Sequence, residues 1–181
     1  NSVIGEDLNI PSFVGGGDLH SILNSKGSFL GGGRSNVISS SAGSSNVQNA
    51  IVGGSSGSIS ISSSFNFIGG GFLNNSSQFS VIAGGGSNTI FDTIESVLVG
   101  GKQNLISGSE RSFLGGGNVN TILRSNSTSI LGGVSNQITH HTSTFASLAG
   151  RNAIAGGESN ELHDSWTTTI VGGYKNVITG S

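Results

Sequence analysis

The sequence has no cysteine, no methionine and a single proline among its 181 residues. Without cysteine, the chain can form neither a disulfide framework nor a cysteine-based metal site. Charged residues make up only 9% of the sequence, and the formal net charge is −2. So little charge argues against a solvated, disordered tail, and the lack of a basic excess argues against binding to nucleic acid or to an anionic membrane. No apolar run approaches the roughly 20 residues of a spanning helix, so we expect no nucleic-acid partner and no membrane insertion.

Three small residue types dominate what is present: 35 serines, 32 glycines and 18 asparagines. Glycine costs about 1 kcal/mol relative to alanine at each helical position, so this composition disfavours helices. Two alternatives remain open from composition alone. The chain is either a disordered low-complexity sequence or a β repeat rich in tight turns.

A recurring phrase decides between these alternatives: apolar, any, Gly, Gly, any, any, Asn, any, apolar. It reads LVGGKQNLI at Leu98–Ile106 and LGGGNVNTI at Leu114–Ile122. A fixed short period is typical of a solenoid, and a disordered chain does not keep such a register. The repeat's asparagine recurs every 16 residues at Asn88, Asn104, Asn120, Asn136 and Asn152, and resumes at Asn160 and Asn176. We expect the breaks in the spacing to be a surplus loop at Ser41–Ser45 and a half-repeat at Arg151–Gly157.

Sixteen residues are too few for helical repeats, which need about 34, but they suffice for two short strands and two turns. The sequence therefore predicts an all-β fold, a parallel β-roll or β-helix with coils of about 16 residues. We expect residues 1–181 to form one solenoid domain and to be a fragment of a longer fibre, because both ends carry repeat-like sequence. Eleven coils at ~4.8 Å would make a rod on the order of 50 Å long.

The regular asparagine has two possible roles. Asparagines at one position of successive coils can stack into a ladder of side-chain amide hydrogen bonds. Alternatively, asparagine tolerates the left-handed backbone conformation of a turn. The predicted ladder comprises Asn36, Asn88, Asn104, Asn120, Asn136, Asn160 and Asn176.

The first strand of each coil carries apolar side chains on both of its faces. The series of Leu98 and Leu114 should fill the coil interior together with the series of Ile106 and Ile122, and the residue before each leucine should then point outward. Such a stripe would be a large exposed apolar patch, which soluble monomers rarely carry. We therefore expect copies of the chain to associate along it; if the two positions were reversed, another apolar stripe would be exposed instead. The predicted oligomer stripe comprises Phe13, Phe29, Val81, Val97 and Phe113.

The Gly-Gly-x-x-Asn repeats resemble the left-handed parallel β-roll heads of trimeric autotransporter adhesins and the repeats of phage tail-fibre proteins. The resemblance covers nearly the whole chain. It implies a homotrimer, located outside the cell, on the cell surface or on a virion. It also implies a structural fibre segment that binds surfaces, such as host or cell-surface glycans.

Catalytic and cofactor chemistry is poorly supported by the sequence. The nine acidic residues share no register that would pair them for acid–base catalysis, so we expect no enzyme and no cofactor. Two alternatives stay open. A glycan-degrading, tailspike-like enzyme could pair carboxylates across a chain interface and would release reducing sugar. An ice-binding β-solenoid would show thermal hysteresis, but it needs a regular rank of threonines, and only Thr167–Thr169 is dense in threonine.

A small group of side chains could contact a glycan. Trp166 lies close in sequence to His163 and Asp164, and Tyr174 follows in the next repeat. Aromatic faces can stack on sugar rings while nearby polar groups bind hydroxyls, although Trp166 could equally pack on a partner chain. We expect His140 and His141 to lie in a solvent-exposed turn and to bind no metal.

Overall fold

The structure, a computed structural model, describes residues 2–4, 12–40, 48–60, 65–76, 79–140 and 150–180. The surplus segment Ser41–Ser45 and His141 lie outside these residues. The described residues contain no helix, and hence none that could cross a membrane. Their regular structure consists of 21 short strands in two parallel sheets.

Consecutive strands alternate between the two sheets. The eleven-stranded sheet contains β1 (Ser2–Ile4), β3 (Ser21–Leu23), β5 (Val37–Ser39), β7 (Ser58–Ser60), β9 (Asn75–Ser76), β11 (Thr89–Phe91), β13 (Leu105–Ser107), β15 (Thr121–Leu123), β17 (Gln137–Thr139), β19 (Glu161–His163) and β21 (Val177–Thr179). The ten-stranded sheet contains β2 (Phe13–Val14), β4 (Phe29–Leu30), β6 (Ala50–Ile51), β8 (Phe67–Ile68), β10 (Val81–Ile82), β12 (Val97–Leu98), β14 (Phe113–Leu114), β16 (Ser129–Ile130), β18 (Ala153–Ile154) and β20 (Thr169–Ile170).

Each strand pairs in parallel with the strand one coil later. Leu98 of β12 is opposite Leu114 of β14, and Ile106 of β13 is opposite Ile122 of β15. In each of these pairs the two residues are 16 positions apart in the sequence. Because consecutive strands alternate between the sheets, one coil contains one strand from each sheet. These pairings confirm the predicted parallel β-solenoid and the length of its coils.

Left-handed backbone conformations turn the chain at both corners of a coil. Between β14 and β15 they occur at Gly117 (φ 88°) and Val119 (φ 59°), and between β15 and β16 at Arg124 (φ 50°) and Ser127 (φ 54°). A residue with a Cβ costs roughly 1–2 kcal/mol in this conformation. The corners persist because their amides bond to the neighbouring coil, as Arg124 N does to Ser107 O at 3.0 Å.

Two columns of aliphatic side chains form the core. Leu98 and Leu114 belong to the column from the ten-stranded sheet, and Ile106 and Ile122 belong to the column from the eleven-stranded sheet. All four are fully buried. A coil thus encloses about two apolar side chains, and the remaining interior positions are polar.

The longest coil, in which Ile130 pairs with Ile154, corrects the position expected for Asn152. The Oδ1 atom of Asn136 accepts a hydrogen bond from the backbone amide of Asn160 (3.0 Å), 24 residues further on. Asn152 lies at the opposite corner, where its Oδ1 accepts from the amide of Thr168 at 3.0 Å. The spacing of 16 from Asn136 to Asn152 is therefore accidental, because this coil has 24 residues, half a period more than the usual 16.

Candidate functional site

The side chain of Asn120 shows how the interior asparagines join the coils. Its Nδ2 donates to the carbonyl oxygens of Gly116 and of Gly133, each at 2.9 Å. Its Oδ1 accepts from the backbone amide of Asn136, also at 2.9 Å. The amide is fully buried, and both polar ends have partners, so it satisfies the requirement that buried polar groups be hydrogen-bonded.

The same arrangement recurs along the rod. In each case the asparagine Nδ2 donates to the carbonyl of the glycine four residues earlier. The asparagines with this bond are the predicted Asn36, Asn88, Asn104, Asn120, Asn136, Asn160 and Asn176, and also Asn74. Direct amide-to-amide bonds are fewer, for example from Asn176 Nδ2 to Asn160 Oδ1 at 2.9 Å. Besides the glycine, the left-handed residue of this turn is the one before the asparagine, such as Val119 or Ser135, and not the asparagine itself. The asparagines therefore connect coils mainly through backbone groups.

Two coils depart from the ladder. His20 takes the asparagine position near the N-terminal end, and its Nδ1 accepts from the amide of Asn36 at 3.4 Å. Gly57 occupies the asparagine position two coils after His20, and its backbone amide donates to Asn36 Oδ1 at 2.8 Å. Gly57 has no side-chain oxygen, so it offers no equivalent acceptor to the amide of Asn74.

The second glycine of the Gly-Gly pair makes room for the asparagine. Gly133 has a φ of 94°, and a Cβ there would collide with the carbonyl oxygen of Gly157 and approach Asn136 Nδ2. Gly132, by contrast, has open space where its Cβ would be. The phrase Gly-x-x-Asn is thus one structural unit in which the glycine leaves the volume that the amide occupies.

Interior serines form hydrogen bonds at the other corner, and the sequence analysis did not single them out. The hydroxyl of Ser109 accepts from the amide of Ser125 (3.0 Å), and the hydroxyl of Ser112 donates to the carbonyl of Ser125 (3.0 Å). All three side chains are buried. Their signal is present in the sequence as serines 16 residues apart, such as Ser109 and Ser125.

The outer surface of the ten-stranded sheet is apolar, and we call it the apolar face. It consists of the first residue of each strand and the residue that directly follows the strand. Predicted stripe residues Phe13, Phe29 and Phe113 are between 38% and 57% exposed, whereas Val81 and Val97 are half-buried. The rings of Phe13 and Phe29 stack with centroids 5.4 Å apart. Aromatic and aliphatic groups are thus held in a row on one side of the rod.

The four residues proposed for glycan contact do not come together at one place. Trp166 lies at the corner between β19 and β20 and is 45% exposed. Its ring packs edge-on against the ring of His140, with the two ring centroids 6.1 Å apart. His163 Nε2 lies 2.8 Å from Glu161 Oε2 on the eleven-stranded sheet, next to Asp164. Tyr174 lies at the opposite corner, with Lys175 Nζ 4.8 Å from its ring centroid.

The expected exposure of His140 is wrong. Its side chain is buried beside Trp166, which covers it with an edge-on ring contact. Within residues 2–4, 12–40, 48–60, 65–76, 79–140 and 150–180, no three side chains of His, Asp or Glu are grouped to hold a metal ion.

Comparison with known proteins adds no family to these observations. No protein-family model matches the chain, and no curated protein matches it.

Proposed function

We propose that the chain is a structural segment of an extracellular, cell-surface or virion fibre that assembles with copies of itself along the apolar face. The observation that carries this proposal is the composition of that face: its twenty positions include no charged residue. Two such faces can come together without desolvating a charge, which would be costly. Each Phe or Val buried against a partner contributes roughly 1.5–3 kcal/mol.

A homotrimer is the assembly that we propose. Association follows from the apolar face, whereas the number three comes from the resemblance to trimeric adhesin heads. Parallel copies around a closed axis keep their coils in register however many coils accumulate. A narrow core of about two apolar side chains per coil also makes folding depend on assembly.

Light scattering with size-exclusion chromatography tests this proposal. We expect a mass near three times the 18.1 kDa of one chain. Phe113→Asp should break the assembly because it places a carboxylate from every copy near one axis. Asn118→Asp is the matched control, because it adds the same charge at an exposed corner away from the face. A folded wild-type monomer would refute the proposal, and a dimer would refute only the trimer.

We also propose that the fibre binds a surface glycan at the corner of Trp166. The support is a half-exposed indole close in sequence to the His163–Glu161 pair. Trp166 is the only tryptophan, so its fluorescence reports directly on titration with a panel of soluble host and bacterial polysaccharides. Trp166→Phe should retain binding and Trp166→Ala should lose it. Unchanged binding by Trp166→Ala, measured on immobilised polysaccharide, would exclude this corner.

A further inference from the structure

The two outward positions of the apolar face vary together from coil to coil. Wherever the strand begins with phenylalanine, the residue that follows the strand is glycine. The four coils of this kind carry Phe13 with Gly15, Phe29 with Gly31, Phe67 with Gly69, and Phe113 with Gly115.

The remaining six coils never have glycine at the second position. Their pairs are Ala50 with Val52, Val81 with Ala83, Val97 with Val99, Ser129 with Leu131, Ala153 with Ala155, and Thr169 with Val171. The bulk that a coil loses at one position is therefore supplied at the other. The pair Ala153 and Ala155 is the exception, because both of its residues are small.

The side-chain geometry explains how phenylalanine takes the place of the second residue. A Cβ built on Gly31 would lie 2.9 Å from Cε1 of Phe29, and one built on Gly115 would lie 3.2 Å from Cε1 of Phe113. Each would also lie close to a backbone carbonyl oxygen of the next coil, that of Val52 at 2.5 Å and that of Leu131 closer still. The ring therefore leans along its own coil and covers the glycine. In the next coil after Phe113, Leu131 itself fills this position and is 57% exposed.

We infer that the side chains of the apolar face protrude from the sheet to a similar extent in nearly every coil. Both outward positions together then form the contact with a second copy of this chain. This inference rests on the proposed self-association and extends it. It adds Leu131 and Val171 to the contact, so the contact continues through the two coils in which the first position holds only serine or threonine.

A second copy is the occupant that these observations favour. The outward side chains recur once per coil, at the strand spacing of ~4.8 Å. Another chain of the same solenoid presents the same axial repeat, so one copy matches the face coil by coil. The absence of charge from its twenty positions agrees with an apolar partner of the same kind.

A double-mutant cycle at residues 129 and 131 tests the inference. Ser129→Phe alone overfills the coil, and Leu131→Gly alone leaves a gap. We expect each single change to weaken association at least tenfold, measured as the midpoint concentration of assembly in a dilution series followed by light scattering. The double variant recreates the Phe–Gly pair found at Phe113 and Gly115, and it should return to within about threefold of the wild type.

Controls separate this inference from the proposed function and from misfolding. Circular dichroism checks the fold, and Leu131→Ser removes the same bulk if the glycine variant fails to fold. Leu123→Ser, on the outer surface of the other sheet, should leave assembly unchanged. A wild-type monomer would refute the proposed function. A different result would overturn only the paired-position contact: the wild type assembles, but the double variant loses as much affinity for assembly as the two single variants lose together.

Discussion

Replacing Gly57 by asparagine should stabilise the rod, because it completes the ladder at a coil that lacks it. By analogy with Asn120, the new side chain would donate to the carbonyls of Gly53 and Gly71 and accept from the amide of Asn74. Gly57 is buried and does not have a positive φ, so asparagine can adopt its backbone. Its Cβ would lie 3.0 Å from Asn36 Oδ1 and 3.5 Å from Ile51 Cγ2, and that amide oxygen must therefore shift slightly.

The magnitude follows from the bonds gained and the freedom lost. Each net hydrogen bond contributes about 0.5–1.5 kcal/mol, and replacing glycine at a compatible position adds about 0.4–1 kcal/mol through the unfolded chain. Ordering the side chain costs on the order of 1 kcal/mol. With the crowding at Asn36 taken into account, we expect Gly57→Asn to raise the free energy of unfolding by roughly 1–3 kcal/mol.

Urea denaturation and amide hydrogen exchange measure this effect at a fixed protein concentration, since assembly makes stability concentration-dependent. Exchange at the amide of Asn74 should slow by about tenfold or more, given that 1.4 kcal/mol corresponds to a factor of ten. The distant amide of Asn160 serves as the internal reference. Gly57→Ala shares the backbone gain and the crowding but lacks the amide. If Gly57→Asn is no more stable than Gly57→Ala, the side-chain ladder does not stabilise the rod.

Three further changes test other parts of the structure in the same unfolding assay. Leu114→Ala empties a fully buried position and should cost about 2–5 kcal/mol; an unchanged melting curve would contradict the core assignment. Gly133→Ala should destabilise strongly whereas Gly132→Ala should be tolerated, because only the first would place a Cβ against the next coil; equal effects would show that the left-handed glycine is not required. Ser76 is buried, and its hydroxyl has no partner among the described residues. Ser76→Ile, which matches Ile59 beside it, should therefore add roughly 1–3 kcal/mol, and a loss of stability would indicate that the site has no room.

The coil and its core could be predicted from the sequence because strand alternation leaves few choices. Once Leu114 and Ile122 are assigned to the interior, the residue before each must face outward. The period of 16 also decided between a solenoid and a disordered chain. These features depend on regular spacing, which a sequence displays directly.

Other features could not be predicted because different residue types satisfy the same geometry. The left-handed turn position before each asparagine holds serine, glutamine, valine, lysine or leucine, as at Ser87, Gln103, Val119, Lys175 and Leu73. Asn152 was assigned to the wrong corner because spacing alone does not show which part of a coil has been enlarged. The pairing of phenylalanine with glycine was visible in the sequence, but its meaning depends on a ring that leans along the coil.

Each ladder asparagine extends its side-chain groups to the coil that follows, and this bears on how the rod is built. In each pair, the side-chain oxygen belongs to the earlier coil and the amide hydrogen to the later one, as with Asn104 and Asn120 (2.9 Å) and with Asn120 and Asn136 (2.9 Å). The Nδ2 group of the earlier asparagine also has a partner in the later coil, since Asn120 donates to the carbonyl of Gly133. A ribosome therefore produces both polar groups of the side chain before these partners exist. A finished coil therefore serves as a template for the one that follows, because stability in such repeats comes from nearest neighbours. Once copies have come together, folding can propagate along the rod one coil at a time, and every new coil meets a binding edge that is already in place.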